Sequence, residues 1–171
     1  KYRGASPVES AILNGDTETG VTIQKMAFKL DSGPIIAQEK TAILGDEKTP
    51  DLRKRLIKKG GELLVKILKT PLQNAEALLP QDESQATFCK KIKKEDGLVN
   101  LEAEPPNVLY NKFRAYATWP RTFFLARRSL GEGGFETKRI IITDAELINE
   151  EFVIKKILPE GKKEIKYEEF L

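Results

Sequence analysis

Apolar and polar positions alternate from Val21 to Leu30, but the phase shifts between Ile23 and Met26, which predicts a strand carrying a bulge or a change of buried face. The run breaks at Asp31-Ser32-Gly33-Pro34, a turn composition, and resumes over residues 35–43 as a second extended segment close to the first. From 49 to 69 the period becomes helical. Leu52, Leu56, Ile57, Leu63, Leu64, Ile67 and Leu68 share one stripe with Lys and Arg opposite, the pattern of a core-facing helix covering a sheet rather than of a membrane or partner helix. Thr49 supplies its cap, Pro50 its first position and Asp51 a charge suited to the positive end of the dipole. A shorter helix is predicted at 8–13, with a Ser6–Glu9 capping box around Pro7 and a left-handed Gly15 ending it.

After Thr70-Pro71 the periodicity is lost, and residues 79–86 have the composition of a linker, so a domain boundary is expected there. The remainder of the chain is different in character: short β-rich runs at 87–92, 123–126, 139–143 and 152–158, with one helix at 107–116, the pattern of a small barrel or open sheet. Gly131-Glu132-Gly133-Gly134 reads as a hairpin tip rather than a phosphate loop, since no Lys-Ser/Thr pair comes after it. Gly60-Gly61 fall inside the long helical pattern, where they suit close packing or a kink. There are no internal repeats.

Composition narrows the chemistry. With 40% hydrophobic and 32% charged residues, the chain has the balance of a folded globular protein. The net charge of +3, from 29 basic and 26 acidic residues, is too small to hold a nucleic acid except through a local patch. Lys90, Lys91, Lys93 and Lys94 form such a cluster, with Arg121, Arg127 and Arg128 further on. The single cysteine, Cys89, excludes an internal disulfide and a Cys-based zinc cluster and fits a reducing compartment. Histidine is absent, so neither a His base nor a His metal ligand can come from these 171 residues. No apolar run approaches the roughly 20 residues needed to cross a bilayer, and a cytoplasmic protein is expected. Taken by itself, Asp31 is a turn-capping residue first and a catalytic acid second.

Three groups of residues carry a resemblance. The first is Tyr2-Arg3-Gly4, Pro7, Ala11-Ile12-Leu13-Asn14-Gly15-Asp16, Thr19 to Ile23, Met26 and Leu30-Asp31-Ser32-Gly33-Pro34-Ile35. The second is Ala86-Thr87-Phe88, Lys91-Ile92, Lys94-Glu95-Asp96-Gly97, Arg114-Ala115 and Trp119-Pro120, and the third is Leu158 to Lys163 with Glu168-Glu169-Phe170-Leu171. Together they resemble the methionyl-tRNA formyltransferase family over nearly the whole chain.

That resemblance implies a fold class: the α/β remnant of a doubly wound formyltransferase domain over 1–75, a linker at 76–87, and a small OB-like β-barrel domain over 88–171. It also implies a reaction, transfer of formyl from 10-formyltetrahydrofolate, without a metal, to the α-amine of methionine on initiator tRNA by a cytoplasmic, monomeric enzyme. The family's catalytic centre is an Asn, a His and an Asp, the last matching Asp31. The His sits in a His-Pro-Ser-Leu-Leu-Pro motif just before Tyr-Arg-Gly, which this chain lacks, so the chain reads as a C-terminal portion expected to be inactive alone, its helix stripe left partly uncovered.

By the same resemblance Arg3 and Gly4 lie near the substrate, Leu30 lies near the folate, and Lys90, Lys91, Lys93, Lys94 and Arg114 are expected to meet tRNA phosphates. Trp119 and Pro120 are expected to pack the barrel against its helix. The chain departs from the family pattern at Arg121, where Gly often comes after Trp-Pro, and at Ala117-Thr118, where Asn-Pro is common. Relatives that act on sugar nucleotides or hydrolyse formyltetrahydrofolate share the Leu-Asp-x-Gly-Pro segment, and a purely RNA-binding module is the non-enzymatic alternative.

Overall fold

The computed structural model describes residues 1–69, 78–131 and 134–170, in two compact units, Lys1–Ile92 and Lys93–Leu171. The division falls later than the linker expected at 76–87. Most of that stretch belongs to the first unit, where Leu79 pairs with Ile35 and the Thr87 carbonyl accepts from the Arg3 amide at 2.8 Å. The expected boundary at 75/76 and the glycine tip at 132–133 lie outside the described residues.

The first unit runs β1 (Arg3–Gly4), α1 (Pro7–Leu13), β2 (Glu18–Gln24), β3 (Ile35–Ala42), α2 (Thr49–Lys69) and β4 (Phe88–Cys89). β2 and β3 form an antiparallel pair whose register shifts between Ile23 and Gln24, so the predicted bulge is present at the place where the alternation slips. β1 and β4 pair in parallel, joining the start of the chain to residues 88–89. α1 ends as foreseen. Gly15 has φ +67°, its amide donates to the Ile12 carbonyl, and the Asp16 amide donates to that of Ala11, which is a Schellman ending.

The beginning of α1 differs from expectation, because no capping box forms. Ser6 Oγ donates to the Lys90 carbonyl, and Glu9 pairs with Arg53. Tertiary partners have taken both side chains away from the helix end.

α2 packs against β2 and β3, and its buried side chains include Leu52 and Leu56, alongside Ala11 and Ile12 of α1. Arg55 ties its first turns to the sheet, donating to Glu47 Oε1 at 2.9 Å, to Thr41 Oγ1 at 2.6 Å and to the Ala42 carbonyl at 2.6 Å. The apolar stripe is only partly covered: Leu52 and Leu56 are buried, and Leu63 and Ile67 are half-buried. Ile57, Leu64 and Leu68 are 69%, 42% and 70% exposed, so the stripe is left partly uncovered, as expected.

The second unit holds α3 (Pro106–Ala115) and β5 (Phe123–Gly131), β6 (Gly134–Ile148), β7 (Glu151–Pro159) and β8 (Ile165–Lys166), an antiparallel meander in chain order. Among the described residues β5 and β8 do not pair, so the sheet is open and the expected closed barrel is not seen. A two-residue turn with positive φ at Asn149 and Glu150 matches the twist of β6 and β7. Val99, Leu109, Phe113, Ile142 and Ala145 form the core, with Phe124, Phe152 and Ile154 against it. Trp119 is 54% exposed and does not serve as the expected packing residue, whereas Pro120 is buried. Arg121 has φ +67°, a conformation that suits glycine, which is the physical sense of its departure from the family pattern.

Candidate active site

The turn after β2 determines the position of Asp31. Lys25 donates its amide to the Pro34 carbonyl at 3.0 Å, closing the loop between β2 and β3. Gly33 is there for close approach rather than for positive φ: an ideal Cβ on it would lie 1.7 Å from the Lys25 carbonyl oxygen. The left-handed residue of the turn is Asp31 itself, at φ +50°. A non-glycine residue held there costs about 1–3 kcal/mol, so surrounding bonds must enforce the geometry.

Those bonds come from two directions. The Asp31 Oδ2 accepts the Gly4 amide at 2.9 Å, and the Asp31 carbonyl accepts from Gln81 Nε2 at 2.9 Å. Gly4 can offer its amide because it has φ +124° and because the Cys89 carbonyl oxygen passes 2.5 Å from where a Cβ would sit. The same Gln81 nitrogen reaches the Gly33 carbonyl at 2.6 Å and Gln24 Oε1 at 2.9 Å. Gln81 Oε1 accepts from Arg3 Nη2 at 2.8 Å.

Arg3 is 6% exposed and makes a fork to Glu83 at 2.9 and 3.0 Å. Glu83 holds the Arg3 guanidinium above its ordinary pKa, with a smaller contribution from the Asp31 charge, while Arg3 draws the Glu83 carboxyl below the usual carboxylate range. Nearby, Tyr2 donates to Asp16 Oδ2 at 2.7 Å, and Lys1 pairs with the same carboxylate at 3.0 Å. Burial, then the bond to Asp16, pushes the Tyr2 phenol up.

These groups open on a cavity of about 550 Å3 lined by Arg3, Gly4, Thr22, Gln24, Asp31 and Gln81, among others. On the loop leading to Asp31, Met26, Phe28 and Leu30 stand 93%, 108% and 63% exposed. The site thus places a carboxylate with one oxygen fixed by a backbone amide in a polar cavity beside exposed apolar side chains. Such an arrangement can accept a proton from, or orient, an attacking nucleophile.

The structure brings together Asp31, Arg3 and Gly4, and it places Leu30 one residue before Asp31. Gln81 and Glu83 belong to the site although residues 79–86 read as a linker. The signal for them, a polar run after Pro80, has no period and is indistinguishable in sequence from solvated loop. Lys90 and Lys91 are exposed at the end of the first unit, and Lys93 and Lys94 are exposed at the start of the second. Arg114 requires correction. It is 7% exposed in α3, donates to Asn111 Oδ1 at 2.7 Å and stacks 5.2 Å over the Tyr110 ring, so its charge is used inside the unit and not on a surface that phosphates reach. The side chain of Arg128 lies outside the described residues.

Among the described residues no group of three or more His, Cys, Asp or Glu is arranged to hold a metal ion, and no helix is long and apolar enough to cross a membrane.

Residues 1–68 match the family described as formyl transferase. The methionyl-tRNA formyltransferase of Kosmotoga olearia is 43% identical over 120 residues, covering 70% of this chain and 38% of that protein. That of Staphylococcus epidermidis is 31% identical over 188 residues, covering all of this chain and 60% of that protein. The chain therefore spans 38% to 60% of the length of these two relatives.

Among solved structures, HypX from Aquifex aeolicus in complex with tetrahydrofolic acid superposes with a TM-score of 0.66 at 18% identity, over 96% of this chain and 31% of that one. The sugar 3N-formyl transferase WlaRD, in the presence of dTDP and 5-N-formyl-THF, gives 0.61 at 22% identity, over 95% and 62%. These likenesses establish a shared formyltransferase fold. In sequence the chain is similar to methionyl-tRNA formyltransferases, and its residues 1–68 match the family described as formyl transferase.

Proposed function

We propose that this chain is the Asp31-bearing part of a folate-dependent formyltransferase that passes a formyl group from 10-formyltetrahydrofolate to the α-amine of methionyl initiator tRNA in the cytoplasm. The observation that carries the reading is the carboxylate of Asp31, fixed by the Gly4 amide at the edge of the cavity. In such a transfer the amine nitrogen bonds to the formyl carbon and loses a proton, while the bond from that carbon to the donor nitrogen breaks and the donor nitrogen takes up a proton as it leaves. Asp31 is the group here that can take up that proton or orient its acceptor. Arg3 and Gly4 stand close to the substrate in this reading, Arg3 acting through Gln81 and Gly4 through its amide. The exposed Leu30, with Met26 and Phe28, offers apolar surface to the flat ring of the folate.

An imidazole partner for Asp31 is not available within a sequence that has no histidine. The purified chain is accordingly expected to show no formyl transfer by itself. In the second unit, we assign the open meander to the OB-like, tRNA-facing domain of the family, with Lys93 and Lys94 as phosphate contacts, and we assign the same role to Lys90 and Lys91 at the end of the first unit. The names of the sequence relatives support tRNA as acceptor. A second reading, a sugar nucleotide as acceptor, is favoured by the fold shared with WlaRD.

The two readings separate in one assay. A formyl-transferring polypeptide containing these 171 residues is offered methionyl initiator tRNA and an amino-sugar nucleotide side by side. Preference for the tRNA is expected. Preference for the sugar nucleotide would replace the first reading by the second.

A further inference from the structure

We propose that Gln81 is the positioning residue for Asp31, an inference that rests on the catalytic reading of that carboxylate. Its side-chain amide bonds both sides of the turn. Nε2 donates to the carbonyls of Asp31 and Gly33, two residues apart, and also to Gln24 Oε1 at the bulge of β2. A nitrogen with two hydrogens and three acceptors within 2.9 Å shares at least one of them, so all of its donor capacity is spent on this turn.

The amide is also prevented from turning over. Arg3 donates to Gln81 Oε1, and Arg3 is itself held by Glu83, so reversing the amide would set its N–H2 against a guanidinium. The backbone that carries Gln81 is anchored on both sides. Leu79 exchanges two hydrogen bonds with Ile35 at 2.8 and 3.0 Å, and Asp82 accepts from the Ser84 amide at 2.9 Å.

Geometry links this clamp to the carboxylate. Asp31 has the left-handed backbone that directs its side chain to the Gly4 amide, and the bond from Gln81 to its carbonyl is the contact from outside the turn that fixes that peptide. When the clamp is removed, the turn is free to relax to an extended conformation, and the carboxylate leaves Gly4. Gln81 touches no reacting atom in this scheme. It acts through Asp31.

The Gly4 amide supplies a direct readout in the intact, isotope-labelled chain, compared as wild type, Gln81→Leu, Gln81→Glu and Asp31→Ala. Both Gln81 variants are expected to move the Gly4 amide resonance towards its position in Asp31→Ala and to speed its hydrogen exchange about tenfold, the worth of one lost bond. The α1 amides of Ile12 and Leu13 should keep their wild-type resonances, which reports that the unit is folded. Gln81→Glu conserves shape while removing the donors, so it separates bonding from packing. A Gly4 resonance unmoved in a folded Gln81 variant overturns the proposal.

In a formyl-transferring polypeptide containing this chain, Gln81→Leu is expected to lower kcat about 100-fold, with KM changed less than about threefold. It should add nothing to the loss in Asp31→Ala. Additive losses in the double variant would show that Gln81 acts elsewhere and would overturn the proposal. If Asp31→Ala keeps its full kcat, the catalytic reading fails and takes the purpose of the clamp with it. That failure is told apart from failure of the clamp itself by a Gly4 resonance that still responds to Gln81.

Discussion

Replacing Gly33 by alanine tests the turn that carries Asp31 without touching the carboxylate. The new Cβ would stand 1.7 Å from the Lys25 carbonyl oxygen and 2.8 Å from its carbon, and both atoms are backbone. The two strands of the loop must separate by about 1.3 Å merely to bring the shorter contact to 3.0 Å. Such a movement breaks the Lys25–Pro34 bond and the bond from Gln81 to the Gly33 carbonyl, each worth about 1 kcal/mol. Residual strain adds to this, and the lower entropy of the unfolded alanine chain offsets about 0.4–1 kcal/mol, leaving a net loss of about 2–3 kcal/mol. In urea unfolding monitored by circular dichroism, a loss of that size lowers the midpoint by roughly 1 M. A midpoint within about 0.2 M of wild type would show that the close approach is not as drawn, and with it the path by which the turn presents Asp31.

Three further outcomes rest on particular contacts. Leu52→Ala, at a fully buried position where α2 meets α1 and the sheet, should cost about 2–5 kcal/mol in the same unfolding assay; a cost below about 1 kcal/mol would mean that α2 is not anchored there. Because Arg3 depresses the Glu83 carboxyl, the stability that this pair confers is complete above the ordinary Glu value of about 4.3 and is lost as pH falls through the lower folded value. Glu83→Gln should therefore flatten the acid limb of the stability–pH curve, and an unchanged limb would mean that the Arg3–Glu83 fork does not stabilise the fold. Lys90→Glu with Lys93→Glu should weaken tRNA binding and reduce its dependence on salt by a log–log slope of about 1–2, whereas an unchanged slope would remove these lysines from the phosphate-contacting set.

Much of the first unit was legible in the sequence, because its elements carry local signals. The slip in alternation at Ile23 became the register shift of β2, and Asn14-Gly15-Asp16 became a Schellman ending. What failed was decided by distant partners. Ser6 and Glu9 spell a capping box, yet Lys90 and Arg53 take their side chains. The stripe on α2 marks a core face, and the exposure of Ile57, Leu64 and Leu68 agrees with the expectation that it is left partly uncovered.

The candidate site divides in the same way. Asp31 is conspicuous only through family resemblance, since its composition is that of a turn. Gln81 and Glu83 have no local signature, because their bonding depends on Arg3, 78 and 80 residues away in the chain. Arg114 is expected at tRNA phosphates through family resemblance alone, but the aromatic ring of Tyr110 and the side-chain oxygen of Asn111 hold it inside the unit.

The central claim is that Asp31 serves formyl transfer. Its most direct test is kcat/KM for transfer from 10-formyltetrahydrofolate to methionyl initiator tRNA, measured for wild type and Asp31→Asn in a formyl-transferring polypeptide that contains this chain. The substitution is nearly isosteric, and the asparagine side-chain oxygen can still accept the Gly4 amide, so the fold is retained while the charge and proton affinity are lost. A fall of about 100-fold or more is expected, the scale of a lost acid–base group. Activity within about threefold of wild type would contradict the claim.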